Sequence, residues 1–150
     1  MIKIICVGKI KEKFFRDAID EYKLRLSKYT KLEIIELPDY NYDLKKTIKE
    51  ETDAILKSIN KSDYNILMDI NGNMLNSVEL SNKISNILIS NSNITFIIGG
   101  SYGVSDEIRN VCNMRLSFSR LTFPHQLFRV VLLEQIYRSY KIMNNEEYHK

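Results

Sequence analysis

Short apolar segments alternate with longer amphipathic segments along the chain, and this alternation constrains the fold more than any other feature of the sequence. The segments predicted as strands are Ile2–Val7, Leu32–Leu37, 64–70, Ile94–Ile98 and 114–118. Apolar residues at helical spacing predict helices over 14–26, 43–59, 78–89 and 124–143, with a short helix opening at 105. Strands that alternate with helices in this way are typical of βαβ units. The sequence therefore predicts an α/β fold, with a largely parallel sheet flanked by helices.

Local signals mark where several of these elements begin and end. Asp43 is a helix-capping residue, and Asn76 followed by Glu79 is the pattern of a capping box. The dipeptide Asn71-Gly72 favours a turn and predicts that the third strand ends there. Pro124 suits the first position of the last helix.

Length, composition and charge limit the class of protein. A chain of 150 residues is expected to form one domain, and 44% hydrophobic with 27% charged residues disfavours intrinsic disorder. The net charge of +3 does not by itself indicate a nucleic-acid partner. The last third is nevertheless rich in arginine, whose planar fork suits phosphates and carboxylates. These arginines are Arg109, Arg115, Arg120, Arg129 and Arg138.

The cysteines and the N-terminal segment bear on the compartment. Cys6 and Cys112 give neither a disulfide framework nor the paired spacing of a zinc site, so we expect a reducing, cytoplasmic setting and no metal. The apolar run over residues 1–7 is too short for a signal peptide. No segment approaches the roughly 20 apolar residues of a membrane span. The sequence thus predicts neither export nor a membrane partner.

The predicted helix over 124–143 carries apolar residues on nearly all sides. Leu132, Ile136 and Tyr140 fall on one broad side, while Leu127 and Val131 fall on the other. In a chain of this size the sheet can cover only one of these sides. We therefore expect a second copy of the chain to cover the other, in a two-fold homodimer.

The segment Gly99-Gly100-Ser101-Tyr102-Gly103 directly follows the fourth predicted strand and is the strongest candidate for a ligand site. Parallel α/β sheets bind ligands beyond the carboxyl ends of their strands, and glycines let a ligand approach the backbone. The segment lacks the Gly-Lys-Ser/Thr ending of a P-loop and the G-x-G-x-x-G spacing of a dinucleotide site. A glycine turn without any ligand stays open as an alternative.

The same segment matches the G-x-S-x-G pattern of a nucleophile elbow. Ser101 would then be the nucleophile of a small serine hydrolase, with His125 or His149 as its base. Hydrolases of that fold are usually much longer, and the only acids between the serine and the first histidine are Asp106 and Glu107 in the adjoining turn. This order of residues argues against the hydrolase, which is kept as an alternative.

Further polar residues accompany the last helix. His125 near its start suits either a helix-start hydrogen bond or a catalytic role. Glu134 and Arg138 have the i, i+4 spacing of a helix salt bridge, but on so apolar a helix such a pair is expected at an interface or in a cleft. The terminal Tyr148-His149-Lys150 is either a frayed end or a set of groups that stack on a base and contact phosphate.

Four segments in this order combine into a larger pattern. They are Phe96-Ile97-Ile98-Gly99-Gly100-Ser101-Tyr102-Gly103, the run 116–126 that includes Leu121-Thr122-Phe123-Pro124-His125-Gln126, Glu134-Gln135-Ile136-Tyr137-Arg138, and Tyr148-His149-Lys150. The run Ile5-Cys6-Val7-Gly8-Lys9 and the pair Glu21-Tyr22 extend the pattern over the whole chain. Together they resemble the ribosomal RNA large subunit methyltransferase H family.

Members of that family are SPOUT-class enzymes. The resemblance therefore implies a single SPOUT-type domain over residues 1–150, with a C-terminal trefoil knot in roughly the last third, an exception to the rule that chains avoid knots. It also implies a homodimer that binds S-adenosylmethionine in the knot and methylates N3 of a pseudouridine in 23S rRNA of the assembled ribosome. A non-catalytic ribosome-binding factor is an alternative from another class.

Carried over position by position, the resemblance implies a cofactor site at the end of the third strand and in the two later loops. Apolar side chains would enclose adenine there, while loop amides and carbonyls would bind its edge. The implied cofactor residues are Met68, Gly99, Gly100, Gly103, Phe118, Ser119, Arg120, Leu121, Thr122 and Phe123.

Methyl transfer to a protonated ring nitrogen requires that the base be oriented and its proton accepted. The candidate proton acceptors or relays are Glu134, His125 and His149. The candidates for binding the substrate, through phosphate or the anionic ring, are Arg129, Arg138, Tyr148 and Lys150. Because the chain has no separate RNA-binding module, we expect the tail of one protomer to complete the cofactor pocket of the other.

Overall fold

The computed structural model describes all 150 residues, in which five strands alternate with five helices. The elements in chain order are β1 (Ile2–Val7), α1 (Lys13–Leu26), β2 (Leu32–Leu37), α2 (Leu44–Ser58), β3 (Tyr64–Met74), α3 (Ser77–Ser90), β4 (Ile94–Ile98), α4 (Asp106–Val111), β5 (Met114–Ser117) and α5 (His125–Met143).

The strands form one sheet in the order β2-β1-β4-β3-β5, and every neighbouring pair is parallel. In the register of the sheet, Ile2 pairs with Leu32 on one side and with Ile94 on the other. Parallel neighbours need crossover connections, and the helices between the strands supply them. The predicted α/β class with a parallel sheet is confirmed.

Helices cover both faces of the sheet. One face packs against α1, α3 and α5, where Phe96 is fully buried, and the other packs against α2 and α4, where Ile97 is fully buried. Successive strand residues point to opposite faces, so both faces need apolar side chains. This explains why the strands are continuous apolar runs, and each buried isoleucine or leucine contributes about 1.5–3 kcal/mol by leaving water.

Two of the predicted helix starts are present. The Asp43 side chain accepts a hydrogen bond from the backbone N–H of Lys46 at 3.0 Å. Asn76 accepts one from the N–H of Glu79 at 2.8 Å, and the Glu79 carboxylate accepts one from the N–H of Asn76 at 3.0 Å. These caps satisfy N–H groups that have no partner within a helix.

The prediction that the third strand ends at the Asn71-Gly72 dipeptide was wrong, because β3 continues to Met74. Met68 and Asn73 both pair with Leu116, so residues 69–72 bulge out of the ladder between them. A Cβ atom on Gly72 would lie 2.7 Å from the backbone carbonyl carbon of Arg115. The glycine is therefore needed for close strand approach and does not mark a turn that ends the strand.

The end of the chain also differs slightly from the prediction. Pro124 caps α5 from outside the helix, which begins at His125, and β5 ends at Ser117, one residue earlier than expected. The side of α5 that faces the core is buried, whereas Leu127 on the outer side is 38% exposed. None of the five helices combines the length and apolar character needed to cross a membrane.

Candidate functional site

A cleft of about 340 Å³ opens at the bulge of β3 and beyond the carboxyl ends of β4 and β5. This is the edge at which parallel α/β sheets bind ligands. Every predicted cofactor residue except Arg120 lines the cleft: Met68, Gly99, Gly100, Gly103, Phe118, Ser119, Leu121, Thr122 and Phe123. The exposed Arg120 does not line it. The structure thus brings the glycine loop and the 118–123 loop together around one cavity.

Phenylalanine rings form one wall of the cleft. The Phe128 ring lies between Phe118 and Phe123, with ring centroids 5.5 and 5.8 Å away. The buried side chains of Ile98 and Leu116 extend this apolar lining. Phe128 was not predicted as a site residue. Its position one turn into α5 was the available signal, since long helical side chains point back toward the N-terminus.

A largely buried ion pair forms a polar part of the lining. Asp69, which is 8% exposed, accepts a hydrogen bond from Arg109 Nε at 3.2 Å and lies 3.8 Å from Arg115. Arg109 also donates to Asp106 at 2.8 Å. This pair was not predicted from the sequence, although Asp69 directly follows Met68, a predicted cofactor residue. The pair fixes the β3 bulge against α4 at the cleft.

His125 lies at the rim of the cleft, at the first position of α5. Partial burial of its ring lowers the imidazole pKa below the ordinary value of 6.5, Asp39 acts in the opposite direction, and Arg129 lowers the pKa further. The ring is therefore mainly neutral at neutral pH and can accept a proton.

The side chain of Arg129 is buried and forms its hydrogen bonds within the protein. Its side chain is 3% exposed, Nη1 donates to Glu36 at 2.7 Å, and Nη2 donates to the carbonyl of Gly8 at 3.1 Å. These contacts join α5 to β2 and to the end of β1. The guanidinium is thereby engaged within the chain and is not free to hold a phosphate.

The C-terminal residues form a cluster with the second half of α5. The Glu134 carboxylate accepts hydrogen bonds from Arg138, from Gln135 at 2.9 Å and from the Tyr148 hydroxyl at 3.0 Å. Arg138 Nη1 lies 3.2 Å from Nδ1 of His149. Burial, and then the hydrogen bond to Glu134, raise the pKa of Tyr148 to about 12. We call these residues the tail cluster; Lys150 remains exposed beside it.

The structure separates the predicted proton acceptors into two groups. His125 lies at the cleft, whereas Glu134 and His149 belong to the tail cluster and do not line the cleft of the same chain. Glu134 follows His125 by nine positions on α5, which corresponds to about 13 Å along the helix axis.

The geometry also bears on two other kinds of site, a serine nucleophile and a metal site. Ser101 lines the cleft but forms no hydrogen bond with His125 or His149, so the serine–base pair that a serine nucleophile needs is not assembled. No group of three or more histidine, cysteine, aspartate or glutamate side chains is arranged to hold a metal ion.

The fold and the placement of the cleft define an α/β protein with a ligand site at the carboxyl edge of a parallel sheet. The tRNA (m1G37) methyltransferase of Aquifex aeolicus has a similar fold, with a TM-score of 0.52, 16% identity, and coverage of 91% of this chain and 69% of that one. The family described as "Predicted SPOUT methyltransferase" matches residues 1–149. The chain belongs to this family.

Several relatives cover the chain over its full length. Proteins named ribosomal RNA large subunit methyltransferase H from Clostridium botulinum (strain 657 / Type Ba4) and Clostridium tetani (strain Massachusetts / E88) are 51% and 50% identical to it. A protein named putative ribosomal RNA large subunit methyltransferase H from Methanococcus maripaludis is 49% identical. Each alignment covers 99% of both chains. The family resemblance predicted from the four sequence segments is confirmed, while the trefoil knot stays a prediction.

Proposed function

We propose that this protein transfers a methyl group from S-adenosylmethionine to N3 of a pseudouridine in 23S rRNA of the assembled ribosome, in the cytoplasm. The observation that carries the proposal is the 51% identity, over 99% of both chains, to a relative named ribosomal RNA large subunit methyltransferase H. The cleft beyond the ends of the parallel strands supports it with a site of suitable size and lining.

The cleft fits S-adenosylmethionine in two respects. Its volume of about 340 Å³ lies within the range of about 300–1,000 Å³ that is usual for small-molecule sites. The side chains of Met68, Leu116 and Phe118 would enclose the adenine, and the backbone of the glycine loop and of residues 119–122 would supply polar contacts. When bound, the cofactor supplies an electrophilic methyl carbon on its sulfonium sulfur. No metal ion enters the proposal.

The outer side of α5 supports a homodimer. Leu127, Val131, Glu134, Arg138 and Ile142 lie within one strip of the helix surface at 100° per residue. Leu127 is exposed, and the other four are only partly covered within one chain. An aliphatic strip that contains one ion pair is suited to pairing with an identical copy, since a two-fold axis places the same surface on both partners.

Such a pairing would also unite the two groups of candidate catalytic residues. In an antiparallel pairing of two α5 helices centred near Val131, Arg138 of one chain would lie at the same level along the helix axis as His125 of the other. Each cleft would then receive the tail cluster of the other protomer. The separation of His125 from Glu134 within one chain would then be explained, because each active site would contain residues of both chains.

The proposed chemistry at this composite site follows from the substrate. N3 of the base carries a proton that must be accepted as the nitrogen–carbon bond forms. The neutral imidazole of His125 is a suitable acceptor, while Glu134 already accepts three hydrogen bonds and would position the tail. His149 remains a relay candidate. Arg138, with Lys150, would stabilise negative charge on the ring or hold a phosphate, and Tyr148 would contact the base.

Methyl transfer in vitro tests the proposal. Ribosomes from a strain that lacks the gene would be incubated with the protein and S-adenosylmethionine labelled in its methyl group. We expect label in the large-subunit rRNA of intact ribosomes. Ribosome binding without transfer would indicate a non-catalytic factor, and covalent labelling of Ser101 by a fluorophosphonate would indicate a hydrolase.

A further inference from the structure

The carboxyl group of Glu51 on α2 is buried behind the glycine loop without a hydrogen-bond partner. The residue is 3% exposed, and Oε2 is fully buried and accepts no hydrogen bond. A Cβ atom on Gly100 would lie 2.3 Å from Oε2 and 2.6 Å from Oε1, so the loop backbone rests directly on the carboxyl group. Burial, and then the nearby Asp39, raise the pKa of Glu51.

A buried carboxylate without a partner is costly, and so the position calls for an explanation. The chain itself supplies no cation, because neither Lys9 nor Lys11 forms an ion pair with Glu51, although both line the same cavity. A cation bound from outside the chain would offset this cost, whereas without one the raised pKa of Glu51 favours its neutral, protonated form.

This cavity is polar and adjoins the main cleft. It measures about 600 Å³, and its lining includes Glu51, Asp39 and the two lysines. A third cavity of about 380 Å³ shares Asp39 and both lysines. Ser101 lines all three cavities. A region that carries both signs of charge thus begins where the apolar cleft ends, at the glycine loop.

The two ends of S-adenosylmethionine match these two regions. Its adenine is flat and weakly polar, whereas its amino-acid end carries an ammonium and a carboxylate. We infer that the carboxylate of Glu51 accepts a hydrogen bond from the α-ammonium of the bound methyl donor, with Lys9 or Lys11 near the donor's carboxylate. This inference rests on the proposed function. It assigns to α2 a part of the cofactor site that no sequence motif indicated.

The test compares two ligands that do not react, by titration calorimetry. S-adenosylhomocysteine carries the amino-acid end, and 5′-methylthioadenosine lacks it. The Glu51→Gln substitution keeps the shape of the side chain but removes its charge. We expect it to weaken S-adenosylhomocysteine about tenfold or more, as for a hydrogen bond between charged groups, and to leave 5′-methylthioadenosine within about twofold.

Glu50→Gln is the matched control. Glu50 precedes Glu51 on α2 and lines none of the three cavities, so both affinities should be unchanged. A second measurement avoids variants altogether: the wild-type protein should bind S-adenosylhomocysteine about tenfold more tightly than the analogue that lacks only the α-amino group. This comparison holds even if the Glu51 variant does not fold.

The outcomes separate this inference from the proposed function. An equal loss of affinity for both ligands in Glu51→Gln would show that Glu51 only supports the loop, and no loss for either would show that it does not contact the donor. Wild-type affinity that is insensitive to the α-amino group would also overturn the inference. A wild-type protein that binds neither ligand would overturn the proposed function along with it.

Discussion

The hydroxyl of Tyr148 donates a hydrogen bond to Oε1 of Glu134 at 3.0 Å, and this contact fastens the last residues of the chain to the middle of α5. The Tyr148 ring also meets the Tyr137 ring edge-on, with centroids 5.0 Å apart. The tail is therefore an ordered part of the protein. The Tyr148 ring and the His149 imidazole are held against α5 within a single chain.

The hydrogen bond of Tyr148 can be tested alone. Tyr148→Phe keeps the ring but removes the hydroxyl, and we expect the free energy of unfolding to fall by about 1 kcal/mol. Urea denaturation measures this change. Tyr102→Phe is the control, because Tyr102 is 52% exposed and forms no hydrogen bond through its hydroxyl, and it should change stability by less than about 0.5 kcal/mol. Equal effects of the two substitutions would contradict the role given to Tyr148.

Truncation after Glu147 tests the role of the tail in transfer. The shortened protein should still bind the methyl donor, because the residues that line the donor cleft lie between Met68 and Phe128, and we assign the partner's tail to the RNA base. It should lose methyl transfer to ribosomes, and its stability should fall modestly, since Tyr148 packs against the core. Full turnover by the truncated protein would show that the tail has no part in catalysis.

We expect Arg129 to stabilise the folded protein. Arg129→Met removes the hydrogen bonds to Glu36 and to the Gly8 carbonyl; because the exposed Glu36 can be hydrated in the variant, we expect the free energy of unfolding to fall by about 1–3 kcal/mol. Arg120→Met is the matched control, because Arg120 is exposed and unpaired. Chemical denaturation of both variants gives the comparison. A small effect at Arg129 would restore it as a candidate for phosphate binding.

The burial of Glu51 predicts how stability depends on pH. Its pKa is higher in the folded state than the ordinary value of 4.5, so the folded state holds the proton more tightly than the unfolded state. Its contribution to stability is therefore fully present below that ordinary value and is lost as pH rises through the raised pKa. The stability of the wild type relative to Glu51→Gln should decline as pH rises above the ordinary value of 4.5 and through the raised pKa, in the absence of ligand. A difference that does not vary with pH would contradict the burial of an unpaired carboxyl group.

Features with a local cause were predictable from the sequence. The caps at Asp43 and Asn76 depend on residues within one helical turn, and the strands depend on short apolar runs. The glycine loop and the 118–123 loop were assigned to one site through the family resemblance, and the parallel sheet explains why they meet, since carboxyl ends of its strands share an edge.

Features that depend on distant residues were not predictable. The local sequence at Gly72 indicates a turn. The glycine is needed instead because the backbone of Arg115 on the neighbouring strand lies too close for a side chain. Arg129 resembled a free phosphate ligand because its partner Glu36 lies 93 positions away. Glu51 gave no sequence signal either, because only folding places its carboxyl group behind Gly100.

Mass spectrometry of rRNA from cells with and without this gene tests the central claim most directly. The account predicts one pseudouridine in the large-subunit rRNA that carries a methyl group at N3 when the gene is present and lacks it when the gene is deleted. The methyl group should return when the wild-type gene is restored. Identical methylation of the rRNA in both strains would contradict the claim that this protein is an rRNA methyltransferase.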